Sequence, residues 1–124
     1  MKTIIIEDDE AMRMLLSELM EDLKFQVIEA ENGKIGVEKL EHESGIDVMM
    51  IDWRTPEMSG LEVVKKIREN SAWNEIKLIM VTGLTEMEEV VEALSAGANE
   101  YLMKPYTKEM VADKLKIVGI PIGE

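Results

Sequence analysis

Asp47-Val48-Met49-Met50-Ile51-Asp52-Trp53-Arg54-Thr55-Pro56-Glu57-Met58-Ser59-Gly60 is the stretch on which the fold turns. Residues 48–51 form an apolar run of the length and type of a strand buried on both faces. The run ends at once in a carboxylate, Asp52. A loop containing Pro56 and Gly60 follows. Ser59, with Glu62 three residues on, reads as a capping box that opens a helix. Open α/β sheets bind their ligands at such strand-to-helix loops. Taken alone, Asp52 fits a turn residue or loop cap equally well.

Working outward, the same unit repeats on both sides. Residues 3–6 are a β-branched strand ending in Glu7-Asp8-Asp9-Glu10. Met12, Leu15, Leu16, Leu19, Met20 and Leu23 then fall at helical spacing and give one apolar stripe. Residues 25–28 are a second strand. Asn32-Gly33 turns the chain into a helix carrying Val37 and Leu40, and Gly45 closes it before the Asp52 strand. Beyond that strand, Leu61, Val64 and Ile67 mark a third helix. Residues 76–81 are a fourth strand ending at Thr82-Gly83. Thr85 and Glu88 form another capping box, ahead of a helix with Val90, Val91 and Leu94 inward. Gly97 stops that helix. Residues 100–103 are a short fifth strand ending at Lys104-Pro105. Thr107 opens a last helix with Val111, Leu115 and Val118 inward. Five strand–helix pairs in strict alternation imply an α/β fold: a five-stranded parallel sheet, helices on both faces, right-handed crossovers. The expected organisation is one domain over residues 1–118 and a short tail over 119–124.

A chain of 124 residues suits one domain with a real core. It has no cysteine, which excludes disulfides and thiolate metal sites. The N-terminus lacks a signal-peptide layout, and no apolar run approaches transmembrane length. A cytoplasmic chain without membrane insertion is expected. The net charge of −12 repels nucleic acid and anionic membrane, so no direct nucleic-acid partner is expected; basic partner surfaces are favoured. The 11 methionines read as adaptable core filling.

Four strands end in groups suited to chemistry: Glu7 and Asp8, Asp52, Thr82, and Lys104. In a doubly wound sheet these ends share one edge, and ligands bind there at the topological switch point. If the first and third strands adjoin, Glu7, Asp8 and Asp52 meet. Three carboxylates so close do not all ionise cheaply without a cation. Oxygen-only ligands suit a hard divalent ion, Mg²⁺ above all, which keeps waters and takes phosphate oxygens in its remaining positions. With the Thr82 hydroxyl and the Lys104 ammonium added, the site is arranged for a phosphoryl group. Asp52 is then the nucleophile, forming an aspartyl phosphate. Gly83 leaves room and offers its backbone N–H.

These residues, together with Ile6-Glu7-Asp8-Asp9, Met80-Val81-Thr82-Gly83 and residues 96–106, carry a resemblance over nearly the whole chain. The sequence resembles the receiver domain of bacterial two-component response regulators, nearest to the stand-alone chemotaxis type. The resemblance implies the flavodoxin-like strand order 2-1-3-4-5. It implies Asp52 as phosphoacceptor, Asp8 as direct Mg²⁺ ligand and Glu7 as a ligand through water. Asp9 is left as a helix cap, and the Arg54 backbone carbonyl is a further metal ligand. Thr82 and Lys104 would hold the phosphoryl group, Lys104-Pro105 is a candidate cis bond, and Tyr101 is the aromatic that turns inward with Thr82 on activation. The implied partners are a sensor histidine kinase as phosphodonor and a separate target protein met through the fourth helix, fifth strand and fifth helix. The expected oligomeric state is a monomer, with a dimer on activation. The chain would catalyse only its own phosphorylation and dephosphorylation.

Two positions depart from the chemotaxis type: Arg54 stands where that type has an amide, and Leu84 where it has an acid. Both are expected to tune phosphate lifetime. Arg13 is a kinase-contact candidate with solvated surface as the equal alternative, and His42 reads as plain surface. Trp53 is expected beside the site, and Trp73 is expected to be a packing residue. A haloacid-dehalogenase-like phosphohydrolase is the rival reading, but its D-x-D-x-T/V motif fails at Glu10 and Met12. A flavin carrier would need a phosphate loop where Glu7 to Glu10 stand, and a dinucleotide fold lacks G-x-G-x-x-G. A phosphorylation-independent binding module is the last rival.

Overall fold

The computed structural model describes residues 1–83 and 87–122. The chain runs β1 (Lys2–Ile6), α1 (Glu10–Asp22), β2 (Gln26–Ala30), α2 (Gly33–His42), β3 (Ile46–Asp52), α3 (Gly60–Arg68), β4 (Lys77–Thr82), α4 (Met87–Ala96), β5 (Glu100–Met103) and α5 (Lys108–Ile117), with a 3-10 turn at Ser71–Trp73. All strand pairs are parallel, and the sheet order is β2-β1-β3-β4-β5. This is the doubly wound α/β fold that strict alternation implies, in the flavodoxin-like order. The order in which strands are added reverses between β1 and β3, so those two strand ends flank the crevice.

The sheet separates two apolar layers. On one side Ile4, Ile6, Met49, Ile51, Leu78 and Met80 meet α2, α3 and α4. On the other Ile5, Val48, Met50, Ile79, Val81 and Leu102 meet α1 and α5. β3 lies at the centre: Val48, Met49, Met50 and Ile51 are all fully buried, as its unbroken apolar run requires.

The helices start where the sequence places their caps. Asn32 accepts from the Ile35 N–H, Ser59 and Glu62 form a reciprocal capping box, and Thr107 accepts from the Met110 N–H. Gly97 takes φ 125°, the conformation a helix-terminating glycine allows. The Thr85 half of the second expected capping box, like Leu84, lies outside the described residues.

Two helical stripes are narrower than their apolar spacing implies. Leu15 is 58% exposed while its neighbours Leu16 and Ser17 face the sheet. Val91 is 60% exposed while Val90 and Ala93 are buried. Consecutive helix residues point about 100° apart, so a thin helix–sheet contact takes only one of such a pair. Phe25 is not in β2. It is buried at the end of α1, where its N–H donates to the Met20 carbonyl. Beyond α5, Ile120 returns to the α1/α5 layer.

Candidate functional site

The site is assembled at the carboxyl edge of the sheet from residues on separate loops. Glu7 stands one residue past β1, held by its N–H to the Ala30 carbonyl at 3.1 Å. Asp9 caps α1 by accepting from the Met12 N–H at 2.9 Å, and its own N–H donates to Glu7 Oε2 at 3.2 Å. Arg13 reaches back from α1. It donates to the Glu7 carbonyl at 2.9 Å and to Glu29 Oε1 at 3.0 Å. The sequence left Arg13 between kinase contact and solvent; it is a brace that ties α1 to the ends of β1 and β2.

Asp52 is the last residue of β3 and is 6% exposed. The loop after it is pinned on both sides: the Trp53 N–H donates to the Val81 carbonyl, and the Gly60 N–H donates to the Trp53 carbonyl. Inside the loop the Thr55 hydroxyl donates to the Met58 carbonyl at 2.6 Å. Gly60 is required by space, because a Cβ there would stand 2.9 Å from Trp53 Cα and 2.7 Å from Met80 Cε. The β4 and β5 ends are joined by the Lys104 N–H donating to the Thr82 carbonyl at 2.8 Å.

The alternation of strand side chains sorts the site by face. Glu7, Asp52 and Lys104 continue the side of Ile5, Met50 and Leu102, toward α1 and α5. Thr82 continues the side of Leu78 and Met80. Among the described residues, Glu7, Asp8 and Asp52 each offer a carboxylate oxygen, and these oxygens all lie within 4.8 Å of one another. Glu7 and Asp52 are buried and Asp8 is exposed. Lys104 Nζ bridges the buried pair, 3.3 Å from Asp52 Oδ1 and 3.5 Å from Glu7 Oε1.

Thr82 is buried at the end of β4, and Gly83 is open enough that a Cβ would meet nothing within 4 Å. Arg54 is exposed, two residues past Asp52. The Lys104–Pro105 bond is cis. Tyr101 stands apart from the acids, on the α4 side of β5, half-buried, with Lys114 Nζ 4.5 Å from its ring centroid. His42 is exposed. Trp53 is buried beside Asp52, and Trp73 is partly buried against the same apolar layer at the opposite edge of the sheet.

The electrostatics follow from burial. Burial, then the charge of Asp52, pushes the Glu7 carboxyl up to about 7. Burial also raises Asp52, against the opposing pull of Lys104. Burial works against the charge of Lys104, but Asp52 and Glu7 together outweigh it and hold the ammonium above its ordinary value. Without a further cation, the two buried acids and one lysine favour holding a proton on the pair. The donor set therefore fits a hard divalent ion: oxygen ligands only, and excess negative charge that one ammonium does not offset.

Two further residues went unread in the sequence. Arg68, the last residue of α3, donates to the carbonyls of Gly97, Trp73, Asn74 and Ile76 and to Asn99 Oδ1. Its position reads as an ordinary cation at a helix C-terminus, so no signal marked it. Tyr106 follows Lys104-Pro105 with its hydroxyl buried; its place two residues past a strand-end lysine was the available signal.

An open sheet of order 2-1-3-4-5, with an acid trio and a lysine at the switch point, defines a flavodoxin-like α/β protein with an acidic pocket. The chain belongs to the family described as response regulator receiver domain, which matches residues 3–116. It is 39% identical to chemotaxis protein CheY1 of Helicobacter pylori over 119 residues, covering 95% of this chain and 96% of that protein. It is 36% identical to the chemotaxis protein CheY homolog of Campylobacter jejuni, covering 100% and 97% of the two chains. Among solved structures it resembles chemotaxis protein CheY4 of Vibrio cholerae, with TM-score 0.87, 28% identity and coverage of 94% and 97%. Receiver domains of this kind are signalling domains that work with kinases and downstream targets, and they bind Mg²⁺ at an acidic pocket. Among the described residues, no helix is long and apolar enough to cross a membrane.

Proposed function

We propose that this chain is a phosphorylation-controlled switch in which Asp52 accepts a phosphoryl group from the phosphohistidine of a sensor kinase. The observation that carries this reading is the buried Asp52 carboxylate with Lys104 Nζ at 3.3 Å, inside the carboxylate trio. Asp8 and Asp52 would hold Mg²⁺ directly, Glu7 through water, and the Arg54 carbonyl would complete the protein ligands. When bound, the ion would supply charge neutralisation to the phosphoryl oxygens. An Asp52 carboxylate oxygen attacks phosphorus, the bond from phosphorus to the donor imidazole nitrogen breaks, and its electron pair stays on that nitrogen. Lys104 pairs with a phosphoryl oxygen and Thr82 donates to another. Arg54 and Leu84 set how readily water attacks the product.

Phosphorylation draws Thr82 toward the site and lets Tyr101 turn inward, which reshapes the α4, β5 and α5 face presented to a separate target protein. The receiver domain occupies residues 1–118, acts in the cytoplasm, and is monomeric with dimerisation on activation. Its similarity to chemotaxis proteins of Helicobacter pylori and Campylobacter jejuni supports a chemotaxis pathway. Mass spectrometry after incubation with Mg²⁺ and a small acyl phosphate tests the core claim. A phosphoryl adduct on Asp52, absent from Asp52→Asn and from Mg²⁺-free samples, is expected; an adduct that survives Asp52→Asn overturns it.

A further inference from the structure

Beside the acidic edge, one buried polar group has no part in the chemistry above. The Tyr106 ring lies against the apolar layer that contains Ile5, Leu16 and Leu115. Its hydroxyl is buried and has no hydrogen-bond partner among the described residues. A buried tyrosine hydroxyl ordinarily finds a partner, because taking it out of water unpaired is costly. Phenylalanine would fill the same space without that cost.

The surroundings indicate what the hydroxyl faces. Glu7, Asp52 and Lys104 emerge on the same side of the sheet as the Tyr106 ring. Burial raises the phenol pKa, and the charges acting on it are those of Glu7 first, then Lys104 and Asp52. Glu7 Oε2 accepts from the Asp9 N–H at 3.2 Å, and Oε1 meets Lys104 Nζ at 3.5 Å. Each carboxylate oxygen has two acceptor positions, which leaves room for a further donor.

We propose that Tyr106 is a positioning residue of the cation site, its hydroxyl donating toward the Glu7 carboxylate or the water that Glu7 holds on the ion. This deepens, and rests on, the reading of the acid trio as a Mg²⁺ site. Outer-shell donors of this kind fix the orientation of a ligating carboxylate and strengthen its hold on the metal.

The test is a Mg²⁺ titration of wild type, Tyr106→Phe, Glu7→Gln and the double variant. It is followed by Trp53 fluorescence and by the near-ultraviolet tyrosine difference signal. Removing the hydroxyl weakens Mg²⁺ binding by roughly tenfold, the lower end of outer-shell effects. It also abolishes the tyrosine signal and leaves the metal-free unfolding midpoint unchanged or higher. In the Glu7→Gln background, removing the hydroxyl has no further effect. Equal affinity in wild type and Tyr106→Phe overturns the inference alone, as does an effect undiminished in the Glu7→Gln background. A lowered metal-free midpoint marks the role as structural and also overturns it. A wild type that takes up no Mg²⁺ overturns the cation reading and this inference with it.

Discussion

Glu7 carries the pH dependence of the molecule. Its carboxyl titrates near 7 in the fold against 4.5 when unperturbed, because burial and Asp52 favour the protonated form. A raised folded pKa stabilises the fold fully below the unfolded value, and that stabilisation is lost as pH rises through the folded value. Metal-free stability therefore falls between pH 4.5 and about 7, by about 1.4 kcal/mol per unit at the steepest. Asp52, also raised, acts with the same sign. Mg²⁺ binds the ionised acids, so its affinity climbs with pH over the same window and levels above it. Urea unfolding against pH, with and without Mg²⁺, checks both. In Asp52→Asn the Glu7 carboxyl loses its repulsive neighbour, and the slope of metal-free stability between pH 5 and 7 flattens.

At the scale of elements, two contacts decide how the site is held. Arg68 gathers the end of α3, the 3-10 turn, the start of β4 and the α4–β5 loop through five acceptors. Arg68→Ala leaves carbonyls without their charged donor and costs about 2–4 kcal/mol of stability. Its distance from the acidic edge leaves Mg²⁺ affinity unchanged, which denaturant midpoints and the titration together report. Gly60 is where α3 presses on the strand that carries Asp52. A Cβ there would stand 3.1 Å from the Asp52 carbonyl as well as against Trp53. Gly60→Ala costs about 1–3 kcal/mol through forced backbone shifts. It also slows acyl-phosphate labelling of Asp52 beyond what lost stability explains, which labelling rates at a temperature well below unfolding measure.

Across the whole molecule, the acids and the proposed output face are separated by β4 and β5. The Thr82 carbonyl accepts from Lys104, and Tyr101 sits two residues before the β5 end, capped outside by Lys114. A change at the site therefore has a short covalent and hydrogen-bonded route to α4, β5 and α5. Hydrogen exchange with Mg²⁺ and beryllofluoride is expected to change protection in α4, β5 and the start of α5. α2, packed over β1 and β2 at the other end of the strand order, stays as before. Equal change in α2 would mean general stabilisation, not a switch of one face.

The unbroken apolar run of β3, the helix starts at Asn32, Ser59 and Thr107, and the polar residue closing four of the five strands were all readable from local chemistry. They determined the alternation, hence the parallel sheet, and hence a common edge for Glu7, Asp8, Asp52, Thr82 and Lys104. The stretch 47–60 thus yielded both the central strand and its carboxylate, because strand burial and helix capping act over a few residues. Tertiary structure decided what depends on partners far along the chain: that Leu15 and Val91 face outward, that Arg13 braces β1 to β2, and that Arg68 joins four segments. It also set the proton affinity of Glu7 and left the Tyr106 hydroxyl buried without a partner. Burial and long-range pairing are properties of the packed sheet and its two helical layers, and no single segment encodes them.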